Sequence, residues 1–155
     1  PSRVKVAFDS NFRPKLWKSI EDARQIIERA FKSCDVALPS LADQKIIMQV
    51  KREEVVTSWF RGVGALQTVL KRGSRGPRLI GEVEKDCKFY NSSNVIDTTA
   101  AGDSFNSGFI ASYFTGSSAI KSANYGHQLA NLVISQRGAI CTKRSFDEFK
   151  AIQKL

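Results

Sequence analysis

Asp97-Thr98-Thr99-Ala100-Ala101-Gly102-Asp103-Ser104-Phe105-Asn106-Ser107-Gly108-Phe109-Ile110 (DTTAAGDSFNSGFI) is the stretch on which the reading of this chain turns. Three small residues, Ala100, Ala101 and Gly102, precede a run in which Phe105, Phe109 and Ile110 recur at helical spacing, which predicts a turn opening a helix. Small side chains let a backbone approach a ligand closely. The first-turn N–H groups of a helix have no intrahelical acceptor and sit at the positive end of its dipole, so such a turn is suited to anions. Asp103 stands at that helix start. A carboxylate there suits a general base that takes a proton from an attacking hydroxyl while neighbouring amides stabilise phosphoryl charge. The residue types alone leave a second reading open, with Asp103 a helix-stabilising first-turn acid and Asp97 a turn residue.

Outward from this stretch, β-rich and helix-periodic segments alternate. Arg3 to Phe8 (RVKVAF) is a short β-rich run ending before a polar, Pro-containing loop. Ser19 to Ser33 places Ile20, Ala23, Ile26, Ile27, Ala30 and Phe31 at three- and four-residue spacing, an amphipathic helix with Ser19 as N-cap. Asp35 to Leu38 suits a buried strand stopped by Pro39, Glu53 to Phe60 a helix, and Leu66 to Leu70 a second short strand. Arg78 to Val83 and Lys88 to Tyr90 suit a hairpin-like pair, and Phe105 to Thr115 and Ile120 to Gln136 are helical. Strands alternating with helices imply an α/β layered fold whose mostly parallel sheet is flanked by helices. No repeat, low-complexity tract or linker interrupts it, so the 155 residues read as one domain.

The composition narrows the function classes. At 42% hydrophobic and 25% charged residues the chain matches a folded domain, against disorder, collagen-like repeats or a disulfide scaffold. No apolar run approaches the roughly 18–20 residues that span a bilayer, so no membrane partner is expected. Cys34, Cys87 and Cys141 are odd in number and share no CxxC spacing. With a single histidine, His127, they give no metal signature and favour a reducing, cytoplasmic setting. The net charge of +9 divides unevenly, +8 over residues 1–78 and +1 over 79–155, with a cluster at Lys71, Arg72, Arg75 and Arg78. No helix carries a basic stripe and no nucleic-acid motif is present, so the cluster is expected to serve phosphate and carboxylate rather than nucleic acid; a solvated basic face is the plainer alternative.

Two loops carry candidate ligands. Asp9-Ser10-Asn11-Phe12-Arg13-Pro14-Lys15-Leu16-Trp17 follows the first strand at its C-terminal end, where open α/β sheets bind ligands. The Arg13 fork could clamp a carboxylate or phosphate; equally, Asp9 and Arg13 could form a structural salt bridge with Trp17 filling the core. Lys71-Arg72-Gly73-Ser74-Arg75-Gly76 follows the second of the short strands, and glycines among cations suit a turn beside polyphosphate or an exposed basic turn. His127 could border a base or simply be hydrogen-bonded, while Trp59, Phe60, Cys34 and Cys141 read as packing residues.

The 97–110 string resembles, position by position, the C-terminal signature of the ribokinase-like carbohydrate kinases. The DxNxRPxLW string, the DTTAAGDSF form and the segments at Gly126-His127 and Arg137–Ile140 are similar to the 2-keto-3-deoxygluconate (2-dehydro-3-deoxygluconate) kinase subgroup. The resemblance implies a ribokinase-like fold and an ATP- and Mg²⁺-dependent phosphorylation of a sugar acid at its 6-hydroxyl. It further implies Asp103 as catalytic base and substrate contact, with Ala100, Ala101 and Gly102 as the anion hole around the γ-phosphate. Arg13 falls on the substrate carboxylate, and Asn11, Phe12, Arg13, Lys71, Arg72, Gly73, Ser74, Arg75 and Gly76 fall on the nucleotide. Partners are then a sugar acid and ATP, and the resemblance admits a homo-oligomer in the longer enzyme.

Two departures accompany it. Where many of these kinases carry Asn-x-x-Glu, linked to magnesium and phosphate, this chain reads Ser40-Leu41-Ala42-Asp43, so no protein ligand to the metal is assigned and Mg²⁺ is expected on ATP oxygens and waters. The resemblance also covers only the C-terminal half of such a kinase. The chain, which begins at Pro1, is thus expected to be the C-terminal part of one kinase domain, inactive alone, with an exposed apolar edge where the N-terminal half and its lid would pack. A sibling sugar kinase and a non-catalytic nucleotide-binding fragment are the alternatives.

Overall fold

Phe31 is fully buried and takes edge-to-face contacts from Phe8 at 4.9 Å, Phe60 at 5.1 Å and Trp59 at 6.3 Å, so one ring joins a strand and two helices. It lies on α1 (Ile20–Lys32), whose buried positions Ala23, Ile27 and Phe31 repeat every fourth residue. Ser19 caps this helix by accepting the Asp22 N–H, as its sequence predicts; Ile26, counted with the apolar face, points outward and is exposed. The structure, a computed structural model, describes residues 4–153. These fall into two compact units that divide between Cys87 and Lys88.

The first unit holds a five-stranded sheet in the order β1 (Ala7–Phe8), β2 (Val36–Ala37), β3 (Gln67–Leu70), β4 (Arg78–Gly81), β5 (Lys85–Asp86). Pairing is parallel across β1, β2 and β3 and antiparallel from β3 to β4 and β5. Ala7 stands opposite Val36, and Val36 opposite Gln67. The first strand is shorter than the β-rich run that contains it: its initial residue, Arg3, lies outside the described residues, and Val4 and Val6 lead into β1 exposed. Two helices, α2 (Leu41–Ile47) and α3 (Glu53–Arg61), connect β2 to β3. A core of Phe12, Ala23, Ile27, Phe31, Leu41, Ile47, Val56 and Phe60 joins them to the sheet, with Trp17 and Trp59 packed partly buried against it. The buried amide of Gln67 donates to the Ile80 and Val83 carbonyls and accepts the Val83 N–H, holding β4 against β3 with its own polarity satisfied. The strand expected at Lys88 to Tyr90 does not form. The antiparallel partner of β4 is Lys85–Asp86, and the Tyr90 carbonyl is occupied by His127 and Asn131.

The second unit is built on α4 (Ala101–Tyr113) and α5 (Ala119–Ile134), with α6 (Lys143–Gln153) attached where Phe149 packs on Tyr125. Gly108 and Gly126 allow the first two helices to meet backbone to backbone. A Cβ on Gly108 would lie 2.8 Å from the Gly126 Cα, and one on Gly126 would lie 2.5 Å from the Phe105 carbonyl oxygen. Phe105 and Phe109 are buried on the same side of α4. No helix among the described residues is long and apolar enough to cross a membrane.

Gly126→Ala sets helix propensity, which favours Ala by about 1 kcal/mol, against a clash with main chain that only separation of the helices can relieve. The clash is expected to win, with a net loss of about 1–3 kcal/mol in urea unfolding of the chain. A variant at least as stable as wild type would show that the helices part without cost.

Candidate active site

The C-terminal ends of the three parallel strands bring three positions named from the sequence together in the first unit. Asp9 follows β1, Ser40 closes the segment after β2, and Lys71 follows β3. The Lys71 N–H donates to the Pro39 carbonyl at 2.8 Å and its carbonyl accepts the Leu41 N–H at 2.9 Å. Its ammonium donates to Asp9 Oδ2 at 2.6 Å, both side chains being largely covered. The acid is therefore paired with Lys71, a partner that spacing within the Asp9–Trp17 loop could not reveal. Asp9 Oδ1 also accepts the Asn11 N–H, and Asn11 takes a left-handed backbone at φ 38°. This turn aims the following chain so that the Phe12 ring enters the core, while its carbonyl accepts Arg13 and its N–H bonds Asp43. Arg13 is exposed, anchored by one bond from Nη1 to the Phe12 carbonyl.

Asp43 belongs to the same cluster. Ser40 caps α2, its hydroxyl accepting the Asp43 N–H at 3.5 Å. Burial and the charge of Asp9 raise the Asp43 pKa, while Arg13, Lys71 and the Phe12 N–H pull it down. Sequence reading singled out Ser40 and Asp43 only as a departure, yet they lie among the strand-end residues. The Ser-x-x-Asp spacing ahead of an apolar helix was the available signal.

The 71–76 loop forms a single 3₁₀ turn at Gly73–Arg75, with Gly73 and Gly76 at positive φ. Its arginines are engaged within the chain. Arg72, nearly buried, bonds Glu53, Asp86 and the Gly76 carbonyl, and Arg75 bonds the other oxygen of Glu53. Burial opposes the charge on Glu53, but the two arginines prevail and its pKa lies below the usual range. Arg78 reaches Glu84 and Asp86, and Glu84 also meets Arg61. All four cations of the basic cluster thus have acidic partners, Lys71 in Asp9 and the arginines in Glu53, Glu84 and Asp86, so the cluster is first a structural network and only in part a surface for anions.

In the second unit, Ala100 is the N-cap of α4 in a left-handed conformation, φ 58° and ψ 17°. For a residue with a Cβ this costs about 1–2 kcal/mol. It directs the Ala101 N–H to the Thr98 carbonyl and starts the helix ladder with Ser104 N–H on the Ala100 carbonyl. Among the described residues no backbone acceptor takes the Gly102 or Asp103 N–H. Asp103 is exposed in this first turn, beside those amides. Asp97 accepts the Thr99 N–H on one oxygen and the Gly138 N–H on the other, each at 2.9 Å. The bonds from Thr99 and Gly138, with help from Arg137, lower its pKa to about 2. Asp97 therefore braces the turn. His127 is buried against the Tyr90 carbonyl, its pKa lowered by burial, and Cys34 is buried with its thiol pushed up to about 11 by desolvation. Cys141 is only half-buried.

Residues 2–144 match the family model described as pfkB family carbohydrate kinase. The chain is 37% identical over 145 residues to the 2-dehydro-3-deoxygluconokinase of Escherichia coli K12, a match covering 91% of this chain and 47% of that protein. Among solved structures, a Vibrio cholerae fructokinase bound to fructose, ADP and calcium superposes with a TM-score of 0.82 at 19% identity, over 94% of this chain and 50% of that one. An Escherichia coli putative ribokinase II in complex with ATP and Mg²⁺ gives 0.77 at 22% identity, over 97% and 49%. These structural likenesses concern the fold, which is the ribokinase-like α/β fold expected from the sequence. The chain spans about half the length of the relatives it matches.

Because the folded-state pKa of Asp97 lies below its ordinary value near 3.8, its bracing is present above that ordinary value and is lost as pH falls through about 2. Amide exchange at Thr99 and Gly138 is expected to be slow relative to unstructured amides at pH 5. Asp97→Ala should accelerate both, while exchange in mid-α5 stays unchanged. Equal protection in the variant would remove Asp97 from this role.

Proposed function

This chain belongs to the pfkB family of carbohydrate kinases, and we propose that it carries the catalytic base and nucleotide contacts of a kinase that phosphorylates 2-dehydro-3-deoxy-D-gluconate at its 6-hydroxyl. The observation that carries the reading is the start of α4, where an exposed carboxylate stands in the first turn beside two main-chain N–H groups without backbone acceptors. Asp103 takes the proton of the 6-hydroxyl, whose oxygen attacks the γ-phosphorus of ATP. The bond from that phosphorus to the β–γ bridging oxygen breaks, and ADP leaves. The amides of Ala100, Ala101 and Gly102 form the anion hole; in this conformation the Ala101 N–H is engaged with Thr98, so the Gly102 amide is the readiest donor.

The sugar acid is supported by the similarity to the Escherichia coli 2-dehydro-3-deoxygluconokinase and by Arg13, an exposed guanidinium able to pair with a carboxylate. Asn11, Phe12, Arg13 and the 71–76 loop are the residues assigned to the nucleotide. No group of three or more His, Cys, Asp or Glu side chains among the described residues is arranged to hold a metal ion. The Ser40 hydroxyl and the partly buried Asp43 carboxylate are oxygen donors that would hold the waters of a Mg²⁺ carried on ATP oxygens. Mg²⁺ so bound supplies neutralisation of phosphate charge. The half-length span supports a second reading for the chain by itself, nucleotide binding without turnover.

ADP release is measured with a panel of sugars and sugar acids, on the chain alone and on the chain joined to the N-terminal half of a related 2-dehydro-3-deoxygluconokinase. The joined protein is expected to turn over 2-dehydro-3-deoxygluconate in preference to ribose or fructose, and Asp103→Ala to lower kcat by about 10²–10⁴. Activity near wild type in that variant would rule Asp103 out as the base. Arg13→Ala is expected to raise KM for the sugar acid at least tenfold while sparing neutral sugars; an equal loss on both would remove its assignment to the carboxylate.

A further inference from the structure

Glu53 opens α3, lies far from the 71–76 loop in sequence, and belongs to no motif that marks the site. Its two carboxylate oxygens nonetheless grip that loop at two points. Oε1 accepts Arg72 Nη1 at 2.9 Å and Oε2 accepts Arg75 Nη1 at 2.8 Å. Arg72 precedes the 3₁₀ turn and Arg75 ends it, and Arg72 extends the hold by donating Nε to the Gly76 carbonyl at 2.9 Å. Without this clamp, two left-handed glycines, Gly73 and Gly76, would leave the loop many backbone states, and its two arginines would repel one another. The two arginines differ in what remains available. The Arg72 side chain is 8% exposed, whereas that of Arg75 is 57% exposed with one nitrogen held by Glu53.

We propose that Glu53 is the positioning residue of the nucleotide loop: it fixes the 3₁₀ turn through Arg72 and orients Arg75 so that its outer donors meet the phosphates of the bound nucleotide. This rests on the reading of residues 71–76 as a nucleotide contact. Glu53 touches no phosphate itself, and acts by lowering the ordering cost that a mobile loop would impose on binding. The role differs from general stabilisation because it is selective for phosphates that reach the loop.

The test is titration calorimetry of the chain with MgATP and with AMP, alongside hydrogen exchange of residues 73–76. Glu53→Gln keeps the side-chain volume but cannot accept equally from both arginines. It is expected to speed exchange in the loop and to lower the ratio of ATP to AMP affinity about tenfold. If the Gln variant fails to fold, Glu53→Asp, which retains both oxygens on a shorter stem, is expected to lower the same ratio by a smaller factor. An unchanged ratio, or equal weakening of ATP and AMP, overturns the proposal, the latter being what a purely structural role produces. Arg75→Ala separates the two layers. If it weakens ATP and Glu53→Gln does not, the nucleotide reading stands and the proposal falls; if it leaves ATP binding unchanged, both fall.

Discussion

Parallel strands leave main-chain groups unpaired where they end, and in the first unit that constraint is met largely at Lys71. Its N–H and C=O bond to Pro39 and Leu41, its side chain crosses to Asp9, and an isolated parallel bridge joins it to Ser40. One residue thereby ties the ends of β1, β2 and β3. Because β1 and β2 are only two residues long, the sheet has little pairing of its own to fix their register. The ion pair is largely covered, so truncating either partner leaves a poorly solvated charge and costs on the order of 3 kcal/mol. The same geometry gathers Asp43 and Arg13 beside the pair.

The uneven charge of the chain has a structural cause that local spacing does not display. Arg61, Glu84, Arg78, Asp86, Arg72, Glu53 and Arg75 form a chain of alternating sign that links α3, β4, β5 and the 71–76 loop. Exposed pairs such as Arg61 with Glu84 contribute little singly, and the network matters chiefly where burial is greatest, at Arg72 and Glu53. Read as sequence, Lys71, Arg72, Arg75 and Arg78 are an unbalanced cluster because their acidic partners lie up to 62 residues away. What such a cluster offers an anion depends on those partners, and tertiary structure supplies them.

The elements legible in the sequence were those with enough turns to show a period. Those elements are α1 after Ser19, α3, and the pair α4 and α5. The shorter α2 has seven residues, too few for its apolar positions to repeat, and α6 follows a Thr142 cap that periodicity alone does not flag. The expected strand at Lys88 to Tyr90 had the right residue types, but propensity gave way to a tertiary bond when buried His127 required an acceptor. Of the candidate site, the α4 turn was legible because its small residues and acid are contiguous. The pairing of Asp9 with Lys71 and the clamp by Glu53 were not, since each joins residues distant in sequence.

Ala100 shows how such a turn can keep a costly conformation. Glycine at this position would adopt φ 58° without penalty, whereas alanine loses about 1–2 kcal/mol. The surrounding bonds over-determine the turn: Asp97 holds Thr99 and Gly138, the Ile134 carbonyl accepts from Ile96 and Asp97, and the Ala101 N–H closes onto Thr98. The strain is thereby offset at the base of the loop, away from the amides that face outward. A carboxylate at position 97 serves this purpose better than a neutral turn residue, since it accepts from both directions and its charge matches the nearby Arg137. The two acids of the signature therefore divide the work, Asp97 holding the turn in shape and Asp103 standing exposed on it.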